Sequence, residues 1–152
     1  MPFESGPYLK TACFCEKVLR EADGVLSIIR IVDRVTVTAQ GPNAPELMPK
    51  TPYTVTALIT LVSGSSKGRH ELKMIREDPS GLKKDPAFVA SVHMEGANKS
   101  QNIVISMNLN LEEEGLIWFH VYLGKDLLTK MPFEVIYARI SAGIMPPGET
   151  PG

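Results

Sequence analysis

The feature that most constrains this chain is a strict period of two in its apolar residues. In residues 103–111, IVISMNLNL, the side chains Ile103, Ile105, Met107, Leu109 and Leu111 alternate with Val104, Ser106, Asn108 and Asn110. Successive side chains of a strand point to opposite faces, so this spacing specifies a strand with one face buried. Residues 53–63, YTVTALITLVS, repeat the pattern with Tyr53, Val55, Ala57, Ile59 and Leu61 on one face and threonines on the other. β-branched residues at that density favour a pleated surface over a helix. Residues 25–39 are equally β-rich, but their alternation slips phase near Val32, which predicts a bulge or sharp bend there. Residues 8–15, 70–76 and 88–94 read as further strands.

The last third reads as an antiparallel hairpin. LIWFHVYL, residues 116–123, turns through Gly124, Lys125 and Asp126 into LLTKMPFEVIYA, residues 127–138. Pro132 cannot donate to a ladder, so it predicts an edge or a bulge at that point. Turn residues recur between the strands, at Asp23-Gly24, Ser63-Gly64, Asp78-Pro79-Ser80-Gly81, Glu95-Gly96 and Glu114-Gly115. About eight short strands at such spacing imply an all-β fold, a two-sheet antiparallel sandwich. The proline-rich segment 40–52 is the longest connection and reads as a crossover between sheets. At most one short helix is expected, the one candidate being residues 16–22, EKVLREA, closed by Asp23-Gly24 and too short to stand without docking Val18 and Leu19 on the core. Residues 1–140 form one domain on this reading, and residues 141–152, SAGIMPPGETPG, a disordered tail.

Composition narrows the function classes. Sixteen Lys and Arg against seventeen Asp and Glu leave a net charge of -1, so no global field steers the chain to nucleic acid or to an anionic membrane. No segment reaches the roughly 20 apolar residues of a membrane helix, and the first residues do not form a secretory signal. Cys13 and Cys15 are the only cysteines. On one strand their Cα atoms stand about 6.6 Å apart on the same face, poor geometry for a disulfide. Free thiols suit a reducing compartment, and the cytoplasm is the expected location.

Motifs for chemistry are sparse. Two thiols alone do not complete a zinc site, and His70, His93 and His120 lack the spacing that puts two imidazoles on one ion, so no metal and no cofactor are expected. Glu112, Glu113 and Glu114 precede Gly115 and read as a solvated turn. No nucleophile elbow or phosphate loop occurs, and no catalytic residue is assigned. The most informative run is LIWFHVYL: Ile117, Phe119, Val121 and Leu123 form one face, and Leu116, Trp118, His120 and Tyr122 the other. Neither face suits solvent. Trp118, His120 and Tyr122 are therefore the candidate partner-binding residues, amphipathic side chains of the kind that interfaces use. The competing explanation is that a loop of the same chain, such as segment 40–52, covers that face.

Two stretches carry a resemblance. YLKTACFCEKVLREADGVLSIIRIVDRVTV, residues 8–37, and GLIWFHVYLGKDLLTKMPFEVIYAR, residues 115–139, resemble a family of uncharacterised small bacterial proteins. The shared elements are a strand ending in Cys15-Glu16, a β-rich strand led by Gly24, and a final hairpin with an aromatic strand, Gly124 and Pro132. The resemblance implies a sandwich similar to immunoglobulin-like folds in strand pattern, without their Cys, Trp, Cys spacing; it implies no activity. The function expected is a non-enzymatic binding or structural module acting through protein–protein contacts, with a second copy of the chain within a bacterial assembly as one candidate partner. A ligand-binding or hydrolytic site near His120, Tyr122 and Glu112 to Glu114 is the alternative.

Overall fold

The computed structural model describes residues 5–140, apart from the side chains of Asp85 and Pro86. Nine strands and no helix occur among them: β1 (Tyr8–Arg20), β2 (Leu26–Ile31), β3 (Arg34–Gln40), β4 (Thr51–Val62), β5 (Lys67–Glu77), β6 (Lys83–Glu95), β7 (Ser100–Leu111), β8 (Gly115–Leu123) and β9 (Asp126–Ile140). They form a four-stranded sheet in the order β2-β1-β4-β7 and a five-stranded sheet in the order β3-β9-β8-β5-β6. Pairing is antiparallel except between β3 and β9, which run parallel. The β4–β7 pair in one sheet and the β5, β8, β9 run in the other reproduce the central arrangement of immunoglobulin-like sandwiches. The tail at residues 141–152 lies outside the described residues.

The core follows from strand parity. Val55, Ala57, Ile59 and Leu61 of β4 and Ile105, Met107, Leu109 and Leu111 of β7 meet Leu72 and Met74 of β5, Ile117, Phe119 and Val121 of β8, and Phe133 of β9, all buried. Phe14 joins them edge-on, its ring 5.1 Å from Phe119 and 5.6 Å from Phe133. Such offset aromatic contacts add about 0.5–1.5 kcal/mol each beyond the area they bury.

The phase slip near Val32 is a change of sheet. β2 ends at Ile31 in the four-stranded sheet and β3 begins at Arg34 in the five-stranded one. Between them Val32 donates its N–H to the Phe14 carbonyl at 2.8 Å, and Asp33 accepts from Glu134 N–H at 3.0 Å. Segment 40–52 likewise carries the chain from β3 to β4 across the sandwich. It does not cover the Trp118 face: Tyr137 Oη donates to the Pro45 carbonyl, an Arg139 guanidinium N–H donates to that of Ala44, and Met48 is buried with the core. Pro132 sits where β9 has only one neighbour, because β3 first pairs at Glu134.

The helical candidate at residues 16–22 does not form a helix, and its first five residues are strand. β1 stays extended to Arg20, pairing with β4 as far as Cys15 and beyond that with β2 alone. A seven-residue helix cannot repay its own nucleation, whereas Ile28, Ile29 and Ile31 offer residues 15–20 a partner strand. The hairpin tip comes over the outer face of the four-stranded sheet, where Val25, Leu26 and Ile28 line a cleft of about 410 Å³ with Leu58 and Thr60. That cover explains how Leu58, outward by parity, is buried.

Candidate functional site

β8 is the middle strand of its sheet, so its two faces see different worlds. Ile117, Phe119, Val121 and Leu123 are buried between the sheets, and Trp118, His120 and Tyr122 project together from the outer face. On that face His120 lies between Trp118 and Tyr122 along the strand, with Ile75 of β5 and Lys130 of β9 as its lateral neighbours. This packing leaves His120 only 7% exposed although no second layer of described residues lies above it. Its Nε2 is buried and makes no hydrogen bond; the nearest charge is the Glu77 carboxylate, Oε1 at 3.5 Å. Lys73 Nζ stands 5.7 Å from the centre of the Tyr122 ring, within cation–π range. Around these residues Leu116, Val89 and Leu127 are exposed at 39%, 53% and 43%, and Pro132 is exposed beside Trp118. A half-buried aromatic centre is thus ringed by apolar side chains and by Lys73, Glu77 and Lys130.

The acidic turn does not join this site. Glu112 Oε2 pairs with Lys84 at 3.5 Å, and Glu113 accepts the Ser80 N–H at 3.1 Å. His120 lies five residues along the strand from Gly115, about 17 Å at strand rise. His120 and Tyr122 are brought together; Glu112, Glu113 and Glu114 are held at the end of the sandwich. Cys13 is half-buried and Cys15 buried, both as free thiols. Burial pushes both thiols up from their ordinary range, with the neighbouring Cys13 adding to the effect at Cys15 and a backbone hydrogen bond from Lys17 opposing it. Among the described residues no three His, Cys, Asp or Glu side chains gather to hold a metal ion.

Sequence reading missed a buried polar cluster beneath the same sheet. Arg76 shares the inward parity of Leu72 and Met74, and it is buried at the end of the sandwich. Its Nε donates to Asp78 Oδ1 at 2.7 Å and its Nη2 to the Asn110 carbonyl at 2.9 Å, while Lys84 Nζ reaches Asp78 Oδ2 at 3.1 Å. The signal was present in the alternation of residues 72–76, but a charged residue on the inner face has no partner visible in sequence.

Fold and site together define an immunoglobulin-like sandwich with an aromatic face that no other described element covers. No curated protein matches the chain. A family model matches residues 10–136, and the chain belongs to that family, the Family of unknown function (DUF6941). Among solved structures it is similar to β-glucosidase 3B from Thermotoga neapolitana in complex with glucose, at 14% identity and TM-score 0.45, over 60% of this chain and 16% of that one. The same enzyme with glycerol aligns at 13% identity and TM-score 0.44, over 59% and 15%. The chain thus spans less than a fifth of those enzymes' length, and likenesses of this depth say nothing of activity. No helix among the described residues is long and apolar enough to cross a membrane.

Proposed function

We propose that this protein is a non-enzymatic interaction module that holds a protein partner against the outer face of its five-stranded sheet, centred on Trp118, His120 and Tyr122, and that it works in the cytoplasm. The observation that carries the reading is His120. Its ring, with those of Trp118 and Tyr122, projects from a sheet face that no other described element covers, and a partner laid on that face buries the half-exposed Trp118 and Tyr122. The ring of exposed Leu116, Val89, Leu127 and Pro132 supplies apolar area around the centre, and Lys73, Glu77 and Lys130 a polar border, the anatomy of a protein interface. The free, protonated thiols suit a reducing compartment.

Site-specific crosslinking tests this. A photo-reactive residue at Leu116, on the rim of the face, is expected to capture one discrete protein in cells, and the same residue at exposed Lys17 on the other sheet is not. Equal capture at both positions, or capture at neither, contradicts the proposal.

A further inference from the structure

Among the described residues the sandwich has four sheet edges, and one of them is a strand with neither charge nor proline of its own. β2 and β7 bound the four-stranded sheet, and β3 and β6 the five-stranded one. An exposed edge is an invitation to pair with another chain, and proteins blunt it with short strands, charges or proline. β2 spans six residues and contains Arg30 in the left-handed region at φ 54°; β3 spans seven and begins with Arg34; β6 contains Lys83, Lys84, Pro86 and Glu95. β7, SQNIVISMNLNL, runs twelve residues with no charged residue and no proline. Its register with β4 is unbroken from Ser100 to Leu111, so no bulge turns its free side away.

We propose that β7 pairs antiparallel with β7 of a second copy of this chain across a two-fold axis near Ser106, joining two four-stranded sheets into one. In an antiparallel strand a residue's N–H and C=O point to the same side, and the side alternates along the chain. The Asn110 carbonyl points away from β4, since it accepts from Arg76 on the other sheet. The same parity turns the N–H and C=O groups of Asn102, Val104, Ser106 and Asn108 to the free side. A two-fold axis at Ser106 then sets Ser106 against its own copy as a doubly hydrogen-bonded pair and Val104 against Asn108, with no charged residue of β7 in the ladder, and the Asn110 carbonyl, held by Arg76, marks where the ladder ends. Inward residues stay inward, because Ile105 faces Met107 and Ile103 faces Leu109.

The neighbouring edge selects a second copy as the occupant. Phe88 of β6 and Ile105 to Leu109 of β7 line one cleft of about 320 Å³, with Arg76 and Lys84 at its side, so the middles of the two edges lie level with each other. The axis that centres β7 on Ser106 therefore falls near Val89 of β6 and brings Lys83 of each chain toward Glu95 of the other, and exposed Val89 toward its own copy. Opposite charges meet at both ends of β6, and apolar surface meets in the middle. This contact is centred on the β7 edge and shares only Val89 with the rim of the Trp118 face.

Sedimentation equilibrium on the full chain tests it, with Ser106→Lys, Ser106→Pro and Trp118→Ala beside the wild type. Ser106 is exposed, its N–H faces away from β4, and both substitutions at it are compatible with the monomer fold. Wild type and Trp118→Ala are expected to sediment at about twice the 16.7 kDa chain mass, and both Ser106 variants at the monomer mass with the wild-type melting temperature. Should Ser106→Pro melt early, Ser106→Lys decides alone. A monomeric wild type at high concentration, or a Ser106→Lys variant that stays dimeric, overturns the proposal. So does dissociation by Trp118→Ala, which would move self-association to the outer sheet face.

Discussion

Removing Asp78 should unfold the end of the sandwich in proportion to the charge it leaves behind. The Asp78 and Arg76 side chains are 6% and 8% exposed, and the Nε to Oδ1 distance of 2.7 Å makes theirs a short, charge-assisted bond. In Asp78→Ala the Arg76 guanidinium keeps only its bond to the Asn110 carbonyl. Breaking one side of a buried pair costs about 3–5 kcal/mol, mostly as the penalty of an uncompensated buried charge. The Lys84 arm adds little, because Lys84 is 31% exposed and its attraction is screened. A loss of about 3–4 kcal/mol is a large share of the roughly 5–15 kcal/mol that stabilises a domain. Urea denaturation followed by the fluorescence of Trp118, the single tryptophan, reads it as a lower midpoint with an unchanged slope. The double variant Arg76→Met with Asp78→Leu should recover most of the loss, since it removes the stranded charge. If Asp78→Ala costs under about 1 kcal/mol, the pair is solvated and the reasoning fails.

Two further outcomes follow from the core and the thiols. Phe119→Ala removes a fully buried ring that touches Phe14 and should cost about 3–5 kcal/mol in the same assay. Cys13 and Cys15 should resist iodoacetamide in the folded protein at neutral pH and react on unfolding, because burial disfavours the nucleophilic thiolate. Since both thiols are raised in the folded state, it binds more protons than the unfolded chain in the alkaline range. Their contribution to stability is therefore full below the ordinary thiol range and falls as pH rises through it; melting points that climb between pH 8 and about 10 would contradict this.

The strands were legible wherever one face is buried and the other wet, as in β4, β7 and β8, because side-chain parity is a local property of the chain. The two faces of LIWFHVYL were also readable, and the structure places Trp118, His120 and Tyr122 together. Partnership was not. Residues 16–20 look helical in isolation and become strand only because residues 26–31 pair with them. Arg76 looks like a surface charge until Asp78 and Asn110 meet it across a turn and across the sandwich. The slip at Val32 reported a bend, but the move to the other sheet depends on hydrogen bonds to Phe14 and Glu134, far away in sequence. The open edge of β7 was equally hidden, since alternation says which side chains are buried and nothing of which strand is last.

The central claim is that the outer face of β8 binds and its inner face holds the fold. The direct test is the affinity of Trp118→Ala for a partner captured at Leu116, measured beside its melting temperature. The account predicts a loss of about 2 kcal/mol, roughly 30-fold, as for a central aromatic anchor, with the melting temperature nearly unchanged. A Trp118→Ala protein that binds as tightly as wild type, or that melts as early as Phe119→Ala, would contradict it.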